Sequence, residues 1–319
     1  MSPHNLKLIA AGLALLLLLW GASALLSRGS DSVRGSLDLH APAMADVDAI
    51  TIVKGADTIA LARQSAPPAP PTAWTVNGHP AALASVTDLF QALRDTTPPE
   101  LVAQDSSSFR RLQVDSAGGR WLRLHRSGKV QLELVVGGRG PDFESAYLRR
   151  PGDAHVYLWH GRLGALVDRT LDDWRDKRIA TLAPDSVAAL EVVRGKERYA
   201  LTRAGRAWKM NGAAVDSGAV ARYLGRLKTI TAAGFATQNE IDSTRAARPG
   251  RRLTVRSARG GRGGRGGVLL SLAFDSTAGA FVVRHVAGAA GEGATVYRMN
   301  TWDVDGLTPA SRSLLPTKK

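Results

Sequence analysis

The chain has 319 residues, 44% of them hydrophobic, which is enough for one large or two medium cores and too apolar for a disordered tail. Cysteine is absent, so a disulfide framework, a thiolate zinc site and a cysteine nucleophile are all excluded. The 42 basic and 28 acidic residues give a net +14, yet eight arginines and no acid fall within residues 245–266; elsewhere 34 basic residues face 28 acidic ones, and nucleic-acid binding by the whole fold is not implied.

Residues 1–7 form a short tail ending in Lys7. The 19 residues from 8 to 26 carry no charge and centre on Leu15-Leu16-Leu17-Leu18-Leu19-Trp20. As a helix they span a bilayer's ~30 Å hydrocarbon core, with the tail inside and the bulk of the chain outside. A cleaved signal peptide is the competing reading, because Ala22-Ser23-Ala24 has the small-x-small form. Apolar character continuing through Leu25 and Leu26 favours the uncleaved anchor. Residues 27–45, rich in Ser, Gly and Asp, read as a tether.

An internal repeat follows, dividing the rest into modules at 46–182 and 183–319. Val47-Asp48-Ala49-Ile50-Thr51-Ile52-Val53-Lys54-Gly55 reappears 140 residues later as Val187-Ala188-Ala189-Leu190-Glu191-Val192-Val193-Arg194-Gly195. Ala73-Trp74-Thr75-Val76-Asn77-Gly78 matches Ala207-Trp208-Lys209-Met210-Asn211-Gly212 at a spacing of 134, the six-residue difference falling in a Pro-rich loop. Alternation at Ile50, Ile52, Ile59 and Leu61, and at Leu190, Val192, Tyr199 and Leu201, predicts a hairpin in each copy. The Trp segment predicts a third strand closed by an Asn-Gly turn. One helix per copy is expected next. Its apolar face is Val86, Leu89, Phe90 and Leu93, or Val220, Tyr223, Leu224 and Leu227, with Ser85 and Asp216-Ser217 as capping residues. Further strands are expected at 121–124, 130–136, 146–149 and 156–159, and at 253–255, 268–274, 281–285 and 295–299. The predicted class is α+β: a tandem repeat of a strand-rich module, each copy an antiparallel sheet with one packed helix, preceded by a transmembrane helix.

Paired strand–Trp–helix units behind one apolar N-terminal helix resemble a bacterial domain-of-unknown-function family, DUF4340. Leu171-Asp172-Asp173-Trp174-Arg175-Asp176-Lys177-Arg178-Ile179 is similar to the Arg-Asp-Lys element between that family's halves. The resemblance covers residues from 47 onward. It implies a single-pass inner-membrane protein with its bulk in the periplasm, accessory to a gliding-motility-type ABC transporter, and it carries over no functional residues.

The candidates for chemistry each have a structural reading. Arg256, Arg259, Arg262 and Arg265 belong to an Arg-Gly run that reads as a long hairpin loop; as a binding element it suits acidic lipid headgroups or another envelope polyanion, not RNA. No G-K-[ST] follows it, so it is not a phosphate loop. Asp172, Asp173 and Asp176 interleave with Arg175, Lys177 and Arg178 as a salt-bridged connector, and Asp303 and Asp305 beside Trp302 echo it faintly. His155 and His160 lack metal-ligand spacing and read as surface histidines. Ser106-Ser107-Ser108 has no nucleophile-elbow frame. Trp74 and Trp208 read as core anchors. No catalytic, cofactor or metal residue is therefore assigned. The expected function is a non-enzymatic accessory or scaffold protein touching the bilayer through 8–26 and an envelope protein partner. The alternative is a glycan- or lipid-binding module with a cleft between the repeats, and an envelope hydrolase is the remotest reading.

Overall fold

The computed structural model describes residues 37, 39–64, 73–94, 98–244, 249–258, 266–286 and 295–316. The anchor or signal segment lies outside them, and among the described residues no helix is long and apolar enough to cross a membrane. The chain divides into two compact units between Arg175 and Asp176.

The first unit contains β1 (Ala49–Lys54), β2 (Asp57–Arg63), β3 (Trp74–Val76), β4 (His79–Pro80), α1 (Leu83–Leu93), β5 (Glu100–Ala103), β6 (Arg120–Arg126), β7 (Lys129–Arg139), β8 (Ala146–Arg149), β9 (Val156–Trp159), α2 (Leu163–Val167) and α3 (Leu171–Trp174). Its nine strands are ordered β4-β3-β2-β1-β6-β7-β8-β9-β5, every neighbour antiparallel.

The second unit contains β10 (Arg178–Thr181), β11 (Val187–Arg194), β12 (Glu197–Ala204), β13 (Ala207–Met210), β14 (Ala213–Ala214), α4 (Ser217–Arg226), β15 (Thr229–Thr231), β16 (Gly234–Phe235), α5 (Gln238–Thr244), β17 (Arg251–Ser257), β18 (Val268–Ser276), β19 (Ala280–His285), β20 (Tyr297–Asn300) and α6 (Thr301–Leu307). Its large sheet repeats the first order, β14-β13-β12-β11-β17-β18-β19-β20-β16, and β10 pairs with β15 as a separate ribbon. The strand-rich α+β class is thus observed.

The period-two pattern explains the sheets. Ile50, Ile52, Leu61, Leu122, Leu124 and Leu134 turn inward against Val86, Leu89, Phe90 and Leu93 of α1, all buried. Leu190, Val192, Leu201, Leu253 and Val255 do the same beneath Val220, Tyr223 and Leu227. Asn77-Gly78 and Asn211-Gly212 make the turns with both residues at positive φ (45° and 81°, 47° and 89°), a conformation Asn and Gly adopt at low cost. The Asn side chains add a shared bond: Asn77 Oδ1 accepts from the Ala60 amide at 2.7 Å, and Asn211 Oδ1 from Ala200 at 3.0 Å.

Several expectations need correction. Each unit has three α-helices among the described residues, not one: α2 and α3 follow the last strand of the first unit, while in the second α5 precedes β17 and α6 follows the last strand. Ser85 caps nothing; it lies inside α1, where its hydroxyl donates to the Asp173 carbonyl at 3.1 Å, and the N-cap is Ala82. Asp216 does cap α4, accepting from the Ala219 amide at 2.8 Å. Trp74 is buried, but Trp208 is only half-buried at the margin of its core. Trp302 is 71% exposed while Trp174 is fully buried, so the two are not equivalent. The hydrogen-bond frame shows the true counterpart: the Ala82 amide donates to Trp174 O at 2.8 Å, and Asp216, aligned with Ala82, donates to Leu314 O at 2.9 Å.

Candidate functional site

Charged side chains repeat between the units where they tie helices to sheets. Lys54 and Arg120 face each other across β1 and β6, and both reach Asp168 just after α2. Arg120 grips that carboxylate with two nitrogens, at 2.7 and 3.0 Å, and donates to Gly137 O at 2.7 Å. In the second unit Arg194 and Arg251 are the cross-strand pair, and both bind Asp305 of α6. Forked arginine–carboxylate contacts of this kind fix geometry.

A second repeated device is an arginine on the outer sheet face. Arg149 of β8 is buried, stacks on Phe109 at 4.3 Å and donates to Val114 O at 3.1 and 2.9 Å. It thereby holds the segment whose Phe109, Leu112 and Val114 cover Trp121, Val135, Tyr147 and Val156. Arg284 of β19 donates to Ile241 O at 3.2 Å and Thr244 Oγ1 at 2.6 Å, fastening α5. It also pairs with Asp275, whose carboxyl is pushed up by burial although Arg284 opposes that shift.

The residues singled out from sequence have local uses. Thr170 and Asp173 form a capping box on α3, Arg175 contacts Asp172 at 3.4 Å, and Arg178 contacts Asp176 at 2.7 Å. His155 lies 2.7 Å from Asp153; His160 lies between Glu100 at 3.3 Å and Asp142 at 3.4 Å. Ser107 donates its hydroxyl, and its amide at 2.9 Å, to Asp105 and so holds that carboxyl below its usual range. Among the described residues no group of three metal-ligating side chains forms.

What remains is a groove of about 960 Å³ on the outer face of β11, β12, β17 and β18. Its walls carry Arg198, Arg252 and Arg256, with Glu191 as their one carboxylate. Arg256 Nε donates to Glu191 Oε1 at 2.9 Å. Arg198 and Arg252 are exposed. The floor is polar: Thr254 and Ser271 are buried and bonded to each other at 3.2 Å. Of the polyanion contacts proposed from sequence, Arg256 is in this groove, while Arg259, Arg262 and Arg265 lie outside the described residues. Sequence reading missed Arg198 and Arg252, which become neighbours only because β11 lies between β12 and β17.

The second unit is thus an antiparallel sheet with its core on one face and a basic groove on the other. A family described as Domain of unknown function (DUF4340) matches residues 74–249, more than half of the chain, and the chain belongs to that family. No curated protein and no solved structure matches it.

Proposed function

We propose that the chain is a membrane-anchored accessory or scaffold protein, its bulk in the periplasm, acting through protein contacts beside an ABC-type transporter. The apolar run at 8–26 supports the anchor. The observation that carries the binding role is the division of labour among charges: Arg120, Arg149, Arg251 and Arg284 are engaged in holding the fold, while Arg198 and Arg252 line an open groove. Amine-reactive crosslinking in native membranes, read by mass spectrometry, tests the role. A transporter subunit is the expected adduct, and crosslinks confined to the chain itself overturn it.

A second reading, an envelope glycan- or lipid-binding module, is favoured by the groove's volume, which is within the range of small-ligand sites. Retention of the purified chain on an immobilised envelope glycan or lipid, abolished by Arg252→Ala, is its expected signature. Equal retention of both proteins removes it.

A further inference from the structure

We infer that the groove of the second unit holds an extended acidic segment of a partner protein, its carboxylates meeting Arg198 and Arg252 and, alongside its Glu191 partner, Arg256. That the partner is a protein rests on the accessory reading; the acidic, extended character of the segment rests on the groove itself.

Arg252, Thr254 and Arg256 all line the groove from β17. Four residues of strand separate the two arginines, about 13 Å, the pitch at which an extended polypeptide presents side chains i and i+4 on one face. Arg198 pairs with Val193, and Val193 pairs with Arg252, so the bases of these two arginines stand two strand spacings apart, about 10 Å. The groove thus offers cations both along and across its length. Guanidinium forks match carboxylates two bonds at a time. The hydroxyls of Thr254 and Ser271 on the floor add polar partners for a peptide backbone or carboxylate.

The first unit provides an internal control. By register, Trp121 stands where Arg252 does and His125 where Arg256 does, while Arg123, in the place of Thr254, is neutralised by Glu133 at 2.6 Å. Phe109, Leu112 and Val114 cover part of that face. The fold therefore builds this sheet with other residues at these positions, and the pairing of Arg252 with Arg256 along one strand belongs to the second unit's own sequence.

The test is fluorescence anisotropy with a fluorescein-labelled peptide of alternating Glu and Ser, added to the purified full chain in detergent at low salt. Binding is expected, weakened about tenfold or more by the double change Arg198→Ala and Arg252→Ala, and by added salt. Arg111→Ala, on an exposed arginine of the first unit, leaves it unchanged. Far-UV circular dichroism checks that the double variant is folded. No binding by the parent chain, or equal binding by the double variant, overturns the proposal. So does binding of heparin or phosphatidylglycerol vesicles through these arginines while the peptide is ignored. A chain that binds the peptide but crosslinks to no transporter subunit keeps the groove and loses the accessory role.

Discussion

Arg149 and Arg284 occupy the same place in their two sheets: Arg149 is paired with Val135, itself opposite Trp121, and Arg284 with Ala273, itself opposite Arg252. Each points outward and binds a backbone carbonyl of the segment preceding the unit's central hairpin, Val114 in one case and Ile241 in the other. The covering segment differs in sequence and in structure; the arginine that holds it does not.

Arg149→Ala is expected to cost about 3 kcal/mol, since it strands the buried Val114 carbonyl and removes the stack on Phe109. Arg149→Lys recovers little, because an ammonium cannot reproduce the fork. Urea unfolding of the purified chain measures both, and a change below about 0.5 kcal/mol for the alanine variant would contradict the assignment.

Trp174→Ala and Trp74→Ala are each expected to lose about 3–5 kcal/mol, since both rings are buried. Trp208→Ala, at the margin of its core, loses about half as much. Equal losses at Trp74 and Trp208 would mean that the second ring is as enclosed as the first.

Removing the carboxylate in Asp168→Asn leaves Arg120, 16% exposed at its side chain, without its charged partner, at a cost of about 1–3 kcal/mol. A double-mutant cycle with Arg120→Ala should return a coupling of about 1 kcal/mol or more. Additive losses would show that the two side chains act separately.

Burial lowers the pKa of His285, a half-buried imidazole beside Tyr297. In the unfolded chain it titrates near its ordinary 6.5, so between that value and the lower folded value the unfolded chain holds the extra proton. Its stabilising contribution is whole above that window and is lost as pH falls through it. The drop in urea midpoint between about pH 7.5 and 5 is therefore expected to shrink in His285→Gln. An unchanged drop would assign the acid sensitivity to other groups.

Much of the fold is legible because its signals are local. The repeat at spacings of 140 and 134 marks β1, β2 and β3 with their counterparts, and the Asn-Gly turns fix the third strand in each copy. Asp168 with Asp305, and Arg149 with Arg284, stand at neither spacing, because the later strands and helices differ in length between units. Self-comparison therefore passes over them. The groove is half legible for a related reason. Arg256 belongs to a conspicuous run, but Arg198 and Arg252 join it only through a strand order that no local pattern encodes. Trp208 misled because a matching position in a repeat carries the residue type and not the depth of burial.

In each sheet the strand at the far edge, β5 or β16, pairs only with the last strand of the same unit, although it precedes four other strands in the chain. Glu100–Ala103 must wait for Val156–Trp159, and Gly234–Phe235 for Tyr297–Asn300, before either has a neighbour. The first hairpin, by contrast, closes over two residues, the kind of local contact that costs little loop entropy. Folding of each unit is thus ordered by its connectivity. A nascent chain cut short before Val156 leaves Glu100–Ala103 without its pairing strand, so each sheet is complete only when its last strand returns to a segment made long before.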